Sequence, residues 1–154
     1  TLLSKGNTVE DIGVLTCYNV GDYGTVALNK KLQSVINPNA TEKITYGDQE
    51  FRLNDIVMCI ANDYKAIIYN NGDYDEDDTT FIANGESGRV VEILSHGMVI
   101  DYGEVQIYCP KSSLSKIKLA YAISLHKSQG GSFKNTALKK KENFDRKTLL
   151  QKFM

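Results

Sequence analysis

The sequence predicts an α/β protein in which a parallel-sheet portion is interrupted by a small antiparallel β-barrel. Three observations lead to this fold class. Residues 12–36 follow a strand, loop and helix pattern, residues 43–109 are short alternating segments separated by turns, and residues 119–133 join an apolar stretch to a polar one. The predicted domains are residues 1–40 together with 110–154, and an inserted barrel at residues 41–109.

The first α/β unit begins with residues 12–18, IGVLTCY, a continuous apolar run with β-branched members. Such a run is typical of a strand buried on both faces of a parallel sheet. A loop with Asp22 as the predicted N-cap follows, and residues 25–36 then have helical periodicity. The apolar face of this helix consists of Leu28, Leu32, Val35 and Ile36. Asn37-Pro38 is expected to end the helix, because the residue before a proline disfavours helical dihedrals.

Residues 43–109 predict a small barrel of about five antiparallel strands, of SH3-like type. Turn residues recur every 6–12 positions in this region. The predicted hairpin turns are Asn71-Gly72, Asn84-Gly85, His96-Gly97 and Tyr102-Gly103. Residues 110–113 mark the return to the α/β body.

An acidic run, GDYDEDD at residues 72–78, lies inside the predicted barrel. Its spacing does not match a calcium-binding loop, since no glycine and terminal glutamate follow in register. We interpret the run as a solvated loop between two strands, and we expect it to point away from any bound nucleic acid.

The net charge of −1 conceals a division along the chain. Residues 1–109 carry 7 Lys and Arg against 17 Asp and Glu, whereas residues 110–154 carry 11 against 2. A basic end on an acidic body is consistent with a nucleic-acid face, although basic terminal helices are also often merely solvated.

Several functional classes are disfavoured by composition. No apolar run approaches the ~20 residues that a membrane helix needs. Cys17, Cys59 and Cys109 are far apart and lie in apolar segments, which predicts buried thiols in a reducing cytoplasm and neither a zinc site nor a disulfide framework. No phosphate loop of the form G-x-x-x-x-G-K-[ST] and no catalytic triad pattern is present, so no catalytic residue is predicted.

Residues 119–133, LAYAISLHKSQGGSF, organise the second half of the chain. An apolar stem leads to a polar cluster that ends at Gly130-Gly131. Two interpretations are open. The cluster is either the polar C-terminal cap of a buried strand or helix, or a rigid set of imidazole, ammonium and hydroxyl groups that binds an anion such as a phosphate.

The segment AYAISLHKSQG resembles motif V of superfamily-one DNA helicases of the RecD and Pif group. Ten of its eleven positions fit. Ser124 stands where the family usually has threonine, and Ser132 stands where it usually has glutamate. Residues 12–38 also resemble the start of the second RecA-like domain of RecD-type helicases, which carries an SH3-like insertion. The matching positions there are Asn19, Gly21, Gly24, Leu28, Asn29, Leu32, Gln33, Asn37 and Pro38.

The resemblance implies that the chain is the C-terminal, RecA-like motor domain of a RecD-type helicase, similar to the alpha subunit of exodeoxyribonuclease V. Single-stranded DNA would be contacted by Ser124, His126, Lys127 and Ser128. The nucleotide cleft would include Asn19, Gln129 and Gly130. A longer parent protein in the cytoplasm would bind ATP and Mg²⁺ through its N-terminal motor domain. Subunits of a nuclease complex are further partners that the resemblance implies, and the fragment alone is expected to be inactive.

Two expectations remain for the rest of the chain. The family usually continues after motif V with a buried strand and a T-R-A motif, which are not apparent after Gly130, so residues are expected to be missing near 135–137 unless the protein is divergent. Residues 145–153 predict a short helix with Asp145 as N-cap.

For Asn29, a solvated or cap-linked side chain is expected. The alternative function is a non-catalytic SH3-like module that recruits a protein or nucleic acid.

Overall fold

The computed structural model of the protein describes residues 12–16, 24–124 and 135–139. The helix and strands are β1 (Ile12–Thr16), α1 (Thr25–Ile36), β2 (Lys43–Tyr46), β3 (Gln49–Arg52), β4 (Ile56–Cys59), β5 (Asp63–Asn70), β6 (Asp73–Ile82), β7 (Ser87–Leu94), β8 (Gly97–Asp101), β9 (Gln106–Pro110), β10 (Ile117–Leu119), β11 (Ala122–Ser124) and β12 (Asn135–Lys139). A 3₁₀ helix, Lys111–Lys116, follows β9. Contacts divide the chain into two compact units, Thr1–Ile36 with Tyr121–Met154, and Asn37–Ala120.

The first unit contains a three-stranded sheet in the order β11-β1-β12. Both partners run parallel to β1, which aligns Val14 with Ala122 on one side and with Ala137 on the other. Helix α1 packs against β11 and has the predicted bounds. Its buried residues are Leu28, Asn29, Leu32 and Gln33, whereas Val35 and Ile36 are half-buried, so the inward face is turned from the predicted one.

The second unit, which we call the sheet unit, is an antiparallel sheet in the order β10-β4-β7-β8-β9-β5-β6, together with the β2-β3 hairpin. One face of the sheet forms the main core. Its fully buried side chains include Phe51, Val57, Val90, Met98 and Ile100. Because side chains alternate along a strand, neighbouring residues point to the opposite face. A smaller cluster of Tyr69, Val99 and Tyr108 forms there.

The predicted fold class is wrong. Most strands in the described residues pair in antiparallel fashion, and no RecA-like parallel sheet is present in that part of the chain. Parallel pairing there is confined to three strands of three to five residues. The apolar run at residues 12–18 predicted a strand buried on both faces of a sheet. Such a run does not indicate how many parallel strands the sheet contains.

The predicted turns have mixed outcomes. Asn71 and Gly72 have φ values of 53° and 85° and connect β5 to β6, as expected for an Asn-Gly hairpin. Asn84-Gly85 is not a hairpin turn, because β6 lies at an edge of the sheet and β7 lies between β4 and β8. Gly97 lies within β8, and an added Cβ would come within 2.4 Å of the Cys109 carbonyl oxygen, so close strand packing requires this glycine.

The acidic run is not a loop. Residues 73–78 belong to β6, which pairs with β5 and has an irregular register between Tyr74 and Thr79. The side chains of residues 73–78 are exposed, as the sequence indicated. Asp73 is paired with Asn70 of β5 despite the low strand propensity of aspartate, whereas residues 75–78 lie in the irregular stretch.

Residues 135–139 also depart from the prediction, since they form β12 and pair with β1 at the place where no strand was expected. Two predicted features, the N-cap at Asp22 and the helix at 145–153, lie outside the described residues. Two cysteines, Cys59 and Cys109, are buried free thiols as predicted, and Cys17 also lies outside the described part. No helix in the described ranges has the length and hydropathy needed to cross a membrane.

Candidate functional site

Ser124 is the one predicted DNA-contacting residue whose position is described. It is the last residue of β11, it aligns with Thr16 of β1, and its side chain is half-buried. The other predicted site residues lie outside the described ranges, and their roles stay predictions. They are Asn19, His126, Lys127, Ser128, Gln129 and Gly130.

Strand β11 is held by the side chain of Asn29 on α1. The Asn29 Nδ2 donates to the Ala122 carbonyl oxygen at 2.8 Å, and the Ala122 backbone N–H donates to Asn29 Oδ1 at 2.8 Å. Asn29 is 5% exposed, so both hydrogen bonds are shielded from water. An amide that satisfies both groups of one residue fixes the strand in register as well as in distance, because a one-residue slip would break both bonds.

The expectation that Asn29 is solvated or cap-linked is therefore wrong. Leu28, Asn29, Leu32 and Gln33 follow the spacing of one helical face, and that face is buried. A polar residue at a buried helical position must find partners, because an unsatisfied buried amide costs about 1–3 kcal/mol. Asn29 stands between Leu28 and Leu32, which are four residues apart on one helical face, and this spacing was the sequence signal for its burial.

A second buried polar network begins the sheet unit. Asp55 is 0% exposed and accepts hydrogen bonds from the Arg52 backbone N–H at 2.7 Å and from Asn37 Nδ2 at 2.9 Å. The same Asn37 amide donates to the Leu53 carbonyl oxygen at 2.8 Å, and an Arg52 guanidinium nitrogen donates to the Asn37 carbonyl oxygen at 2.9 Å. Asn54 precedes Asp55 with φ of 72°, a left-handed conformation that asparagine tolerates.

Ala120, the last residue of the sheet unit, is fastened to the same stretch of chain. Its backbone N–H donates to the Ile56 carbonyl oxygen at 2.9 Å, one residue after Asp55. The entry to the sheet unit at Asn37 and its exit at Ala120 are thus both attached to residues 52–56.

The face of the sheet opposite the main core carries a row of aromatic side chains on β5, β6 and β9. Tyr69 and Tyr74 are paired across β5 and β6, and the Tyr74 ring stacks on Tyr108 with centroids 3.9 Å apart. Phe81 shares this face because it lies two residues from Thr79, the partner of Ile67. We call this surface the outer aromatic face. Its members are Tyr64, Ile67, Tyr69, Tyr74, Phe81 and Tyr108.

The outer aromatic face is open to solvent at both ends. Tyr64 is 72% exposed and Phe81 is 48% exposed, and their ring centroids are 5.0 Å apart. Tyr74 is 38% exposed at the other end. No role was predicted for these residues, since exposed aromatic side chains on strands indicate no shared surface until the pairing of the strands is known.

Burial is the main cause of the raised pKa values of the cysteines and of Tyr108 in the sheet unit. Burial raises the pKa of the Cys109 thiol to about 12 and that of the Tyr108 phenol to about 12, and it also raises the pKa of Cys59. The hydrogen bond from Tyr69 Oη to Glu92, at 2.8 Å, raises the pKa of Tyr69. On the surface, Arg52 and then Lys43 hold the pKa of Glu50 below its ordinary value.

A small cavity of about 30 Å³ lies beside the two buried thiols and is also lined by Asp63 and Tyr102. Lys116 pairs with Asp63 at 3.0 Å in this region. The volume suffices for about one or two water molecules. Because both thiols have raised pKa values, they are protonated near neutral pH and are poor nucleophiles.

Comparison with known proteins gives one family match. Residues 28–102, a little under half of the chain, match the sequence model of the SH3 domain of ATP-dependent RecD-like DNA helicases. The matched range begins inside α1 and covers all of β2 to β8. The predicted barrel bounds of 41–109 stay a prediction.

Two solved structures of Pif1 helicases are similar to the chain at low identity. One is unliganded Pif1 from a Bacteroides species, 15% identical over 87% of this chain, with a TM-score of 0.46. The other comes from a study of forked double-stranded DNA unwinding by two coordinating Pif1 helicases, and is 18% identical over 97% of this chain, with a TM-score of 0.47. The chain covers 48% and 38% of these proteins, and similarity at these TM-scores supports no further assignment. The family match supports a helicase-related SH3 domain within this chain, over residues 28–102.

Proposed function

We propose that the chain is part of an ATP-dependent DNA helicase of the RecD type and contributes contacts to the backbone of single-stranded DNA. The match of residues 28–102 to the SH3 domain of such helicases is the observation that carries the proposal. In this proposal the phosphates bind to Ser124, His126, Lys127 and Ser128. Hydroxyl, imidazole and ammonium groups are suitable donors to phosphate oxygens, and contacts of this kind position a strand without reading its sequence.

The attachment of β11 supports this assignment. Ser124 ends a strand whose first residue, Ala122, is hydrogen-bonded through both its backbone N–H and its carbonyl oxygen to the buried Asn29 side chain. A strand fixed in this way gives the residue at its end a defined position, and a phosphate contact benefits because little conformational entropy is lost on binding.

The distribution of charge supports DNA contact by the C-terminal part of the chain and disfavours it for the sheet unit. Residues 110–154 carry 11 Lys and Arg against 2 Asp and Glu. Residues 37–120 carry 7 against 14, so much of the sheet unit repels phosphate.

ATP and Mg²⁺ belong, in this proposal, to a longer protein. Asn19, Gln129 and Gly130 face the nucleotide, and an N-terminal motor domain supplies the phosphate loop. The proposal requires this division because the 154 residues contain no G-x-x-x-x-G-K-[ST] sequence.

The DNA contact is testable with the 154-residue chain and a fluorescent oligothymidylate. Fluorescence anisotropy would compare the wild type with Lys127→Ala and with Lys30→Ala, which removes an equal charge from an exposed position on α1. We expect Lys127→Ala to weaken binding several-fold and to reduce the slope of log affinity against log salt by about 1. Lys30→Ala should change neither quantity by as much. Equal effects of the two substitutions, or no binding by the wild type, would contradict the proposed contact.

A further inference from the structure

The outer aromatic face has the properties of a preformed binding surface. Tyr64 and Phe81 are exposed, yet each is held by the other ring at 5.0 Å, and Tyr74 is held by Tyr108 at 3.9 Å. Isolated exposed aromatic residues are common on protein surfaces and need no explanation. Two supported pairs on one sheet face differ from that case, because side chains that are already ordered lose little entropy when a partner binds.

The charges around this face select the chemistry of the partner. Glu92 accepts the hydrogen bond of Tyr69, Asp73 is adjacent on the same hairpin, and Glu76 acts electrostatically on Tyr108. Asp73 and Glu76 are exposed. Phosphate groups would be repelled by these carboxylates, whereas guanidinium and ammonium groups would be attracted and could also stack on the exposed rings.

The edge of the sheet beside this face is poorly suited to pairing with another strand. The Asp73 side chain accepts the Tyr74 backbone N–H at 2.8 Å, and Asp75 accepts that of Asp77 at 3.0 Å. These N–H groups already have partners within β6, and the like charges of a second β6 would oppose self-association along the edge. A partner therefore engages the ring surface of the sheet and not its backbone edge.

We propose that the outer aromatic face binds a segment of another polypeptide that is rich in arginine and apolar side chains. The apolar side chains pack against Tyr64, Ile67 and Phe81, the guanidinium groups pair with Glu76 and Glu92, and Asp73 adds electrostatic attraction from the end of the hairpin. This inference concerns protein recruitment by the sheet unit and does not depend on the proposed DNA contact at residues 124–128.

The test uses the 154-residue chain and a synthetic peptide that alternates arginine with leucine, with binding measured by titration calorimetry. We expect the Tyr64→Ala/Phe81→Ala variant to weaken binding about tenfold, since aromatic and arginine contacts dominate such interfaces. The matched control is Tyr46→Ala, because Tyr46 is an exposed tyrosine on β2 in the same unit, and it should bind as the wild type does.

A second pair of variants tests the charges without altering the rings. Asp73→Asn/Glu76→Gln should weaken binding of the peptide, whereas Asp48→Asn/Glu104→Gln removes two exposed carboxylates elsewhere and should have a smaller effect. This pair keeps the inference testable if the double aromatic variant folds poorly. The inference is overturned if the peptide does not bind, if all variants bind it equally, or if oligothymidylate binding depends on Tyr64 and Phe81.

Discussion

The Asn29 side chain joins the backbone N–H and carbonyl oxygen of Ala122, 93 residues away in sequence, through two hydrogen bonds of 2.8 Å. One amide thereby joins the helix near the start of the chain to the strand that ends at Ser124. The pair is a more specific fastening than apolar packing, because it depends on the identity of both backbone groups as well as on shape.

Replacement of Asn29 should expose this dependence. Asn29→Ala would leave the Ala122 N–H and carbonyl without partners, and we expect the free energy of unfolding to fall by about 2–4 kcal/mol. Ser34→Ala is the control, since it removes an exposed hydrogen bond to Lys31 on the same helix and should change stability by at most about 0.5 kcal/mol. Urea denaturation measures both values. A loss no larger than that of the control would show that water readily replaces the Asn29 amide.

Asp55 should be similarly sensitive in the sheet unit. Asp55→Ala removes the acceptor of the Arg52 N–H and of the Asn37 amide, and we expect a loss of about 2–4 kcal/mol in the free energy of unfolding. Amide hydrogen exchange at Arg52 should also become faster. The exposed Asp48 provides the control as Asp48→Ala. Unchanged exchange at Arg52 would contradict the importance of this contact.

The sheet unit should lose stability at alkaline pH. Cys109 and Tyr108 ordinarily titrate near 9.0 and 10.0, and burial raises both pKa values to about 12 in the folded protein. The unfolded chain therefore releases these protons at lower pH than the folded chain does, so the stability is fully present below about pH 9 and is lost as pH rises towards about 12.

Urea denaturation at about pH 8 and about pH 10.5 would measure the loss. Tyr108→Phe removes one of the two titrating groups and should reduce the fall in stability, whereas Tyr64→Phe changes an exposed tyrosine and should not. A fall that is the same in all three proteins would exclude Tyr108 as a contributor.

Local features of the fold were predictable from the sequence, whereas the arrangement of the strands was not. The bounds of α1 and the Asn71-Gly72 turn depend on nearby residues, and both predictions are confirmed. Asn84-Gly85 looks equally like a hairpin turn, but the strands on either side of it do not pair. Strand order is decided by contacts between distant residues, and no local pattern encodes it.

The candidate site shows the same division. Sequence similarity indicated Ser124 and the residues after it, but not the means by which the strand is held. Asn29 contacts a residue 93 positions away, so its role required the packed structure. The outer aromatic face was missed for a related reason, since Tyr64 and Phe81 become neighbours through the pairing of β5 with β6.

The joint attachment of Asn37 and Ala120 to residues 52–56 has a consequence for evolution. A segment whose two ends lie close together can be inserted into a protein, or deleted from it, without separating the residues on either side of the insertion point. Because hydrogen bonds within the segment hold its own ends together, its fold depends little on the protein that receives it.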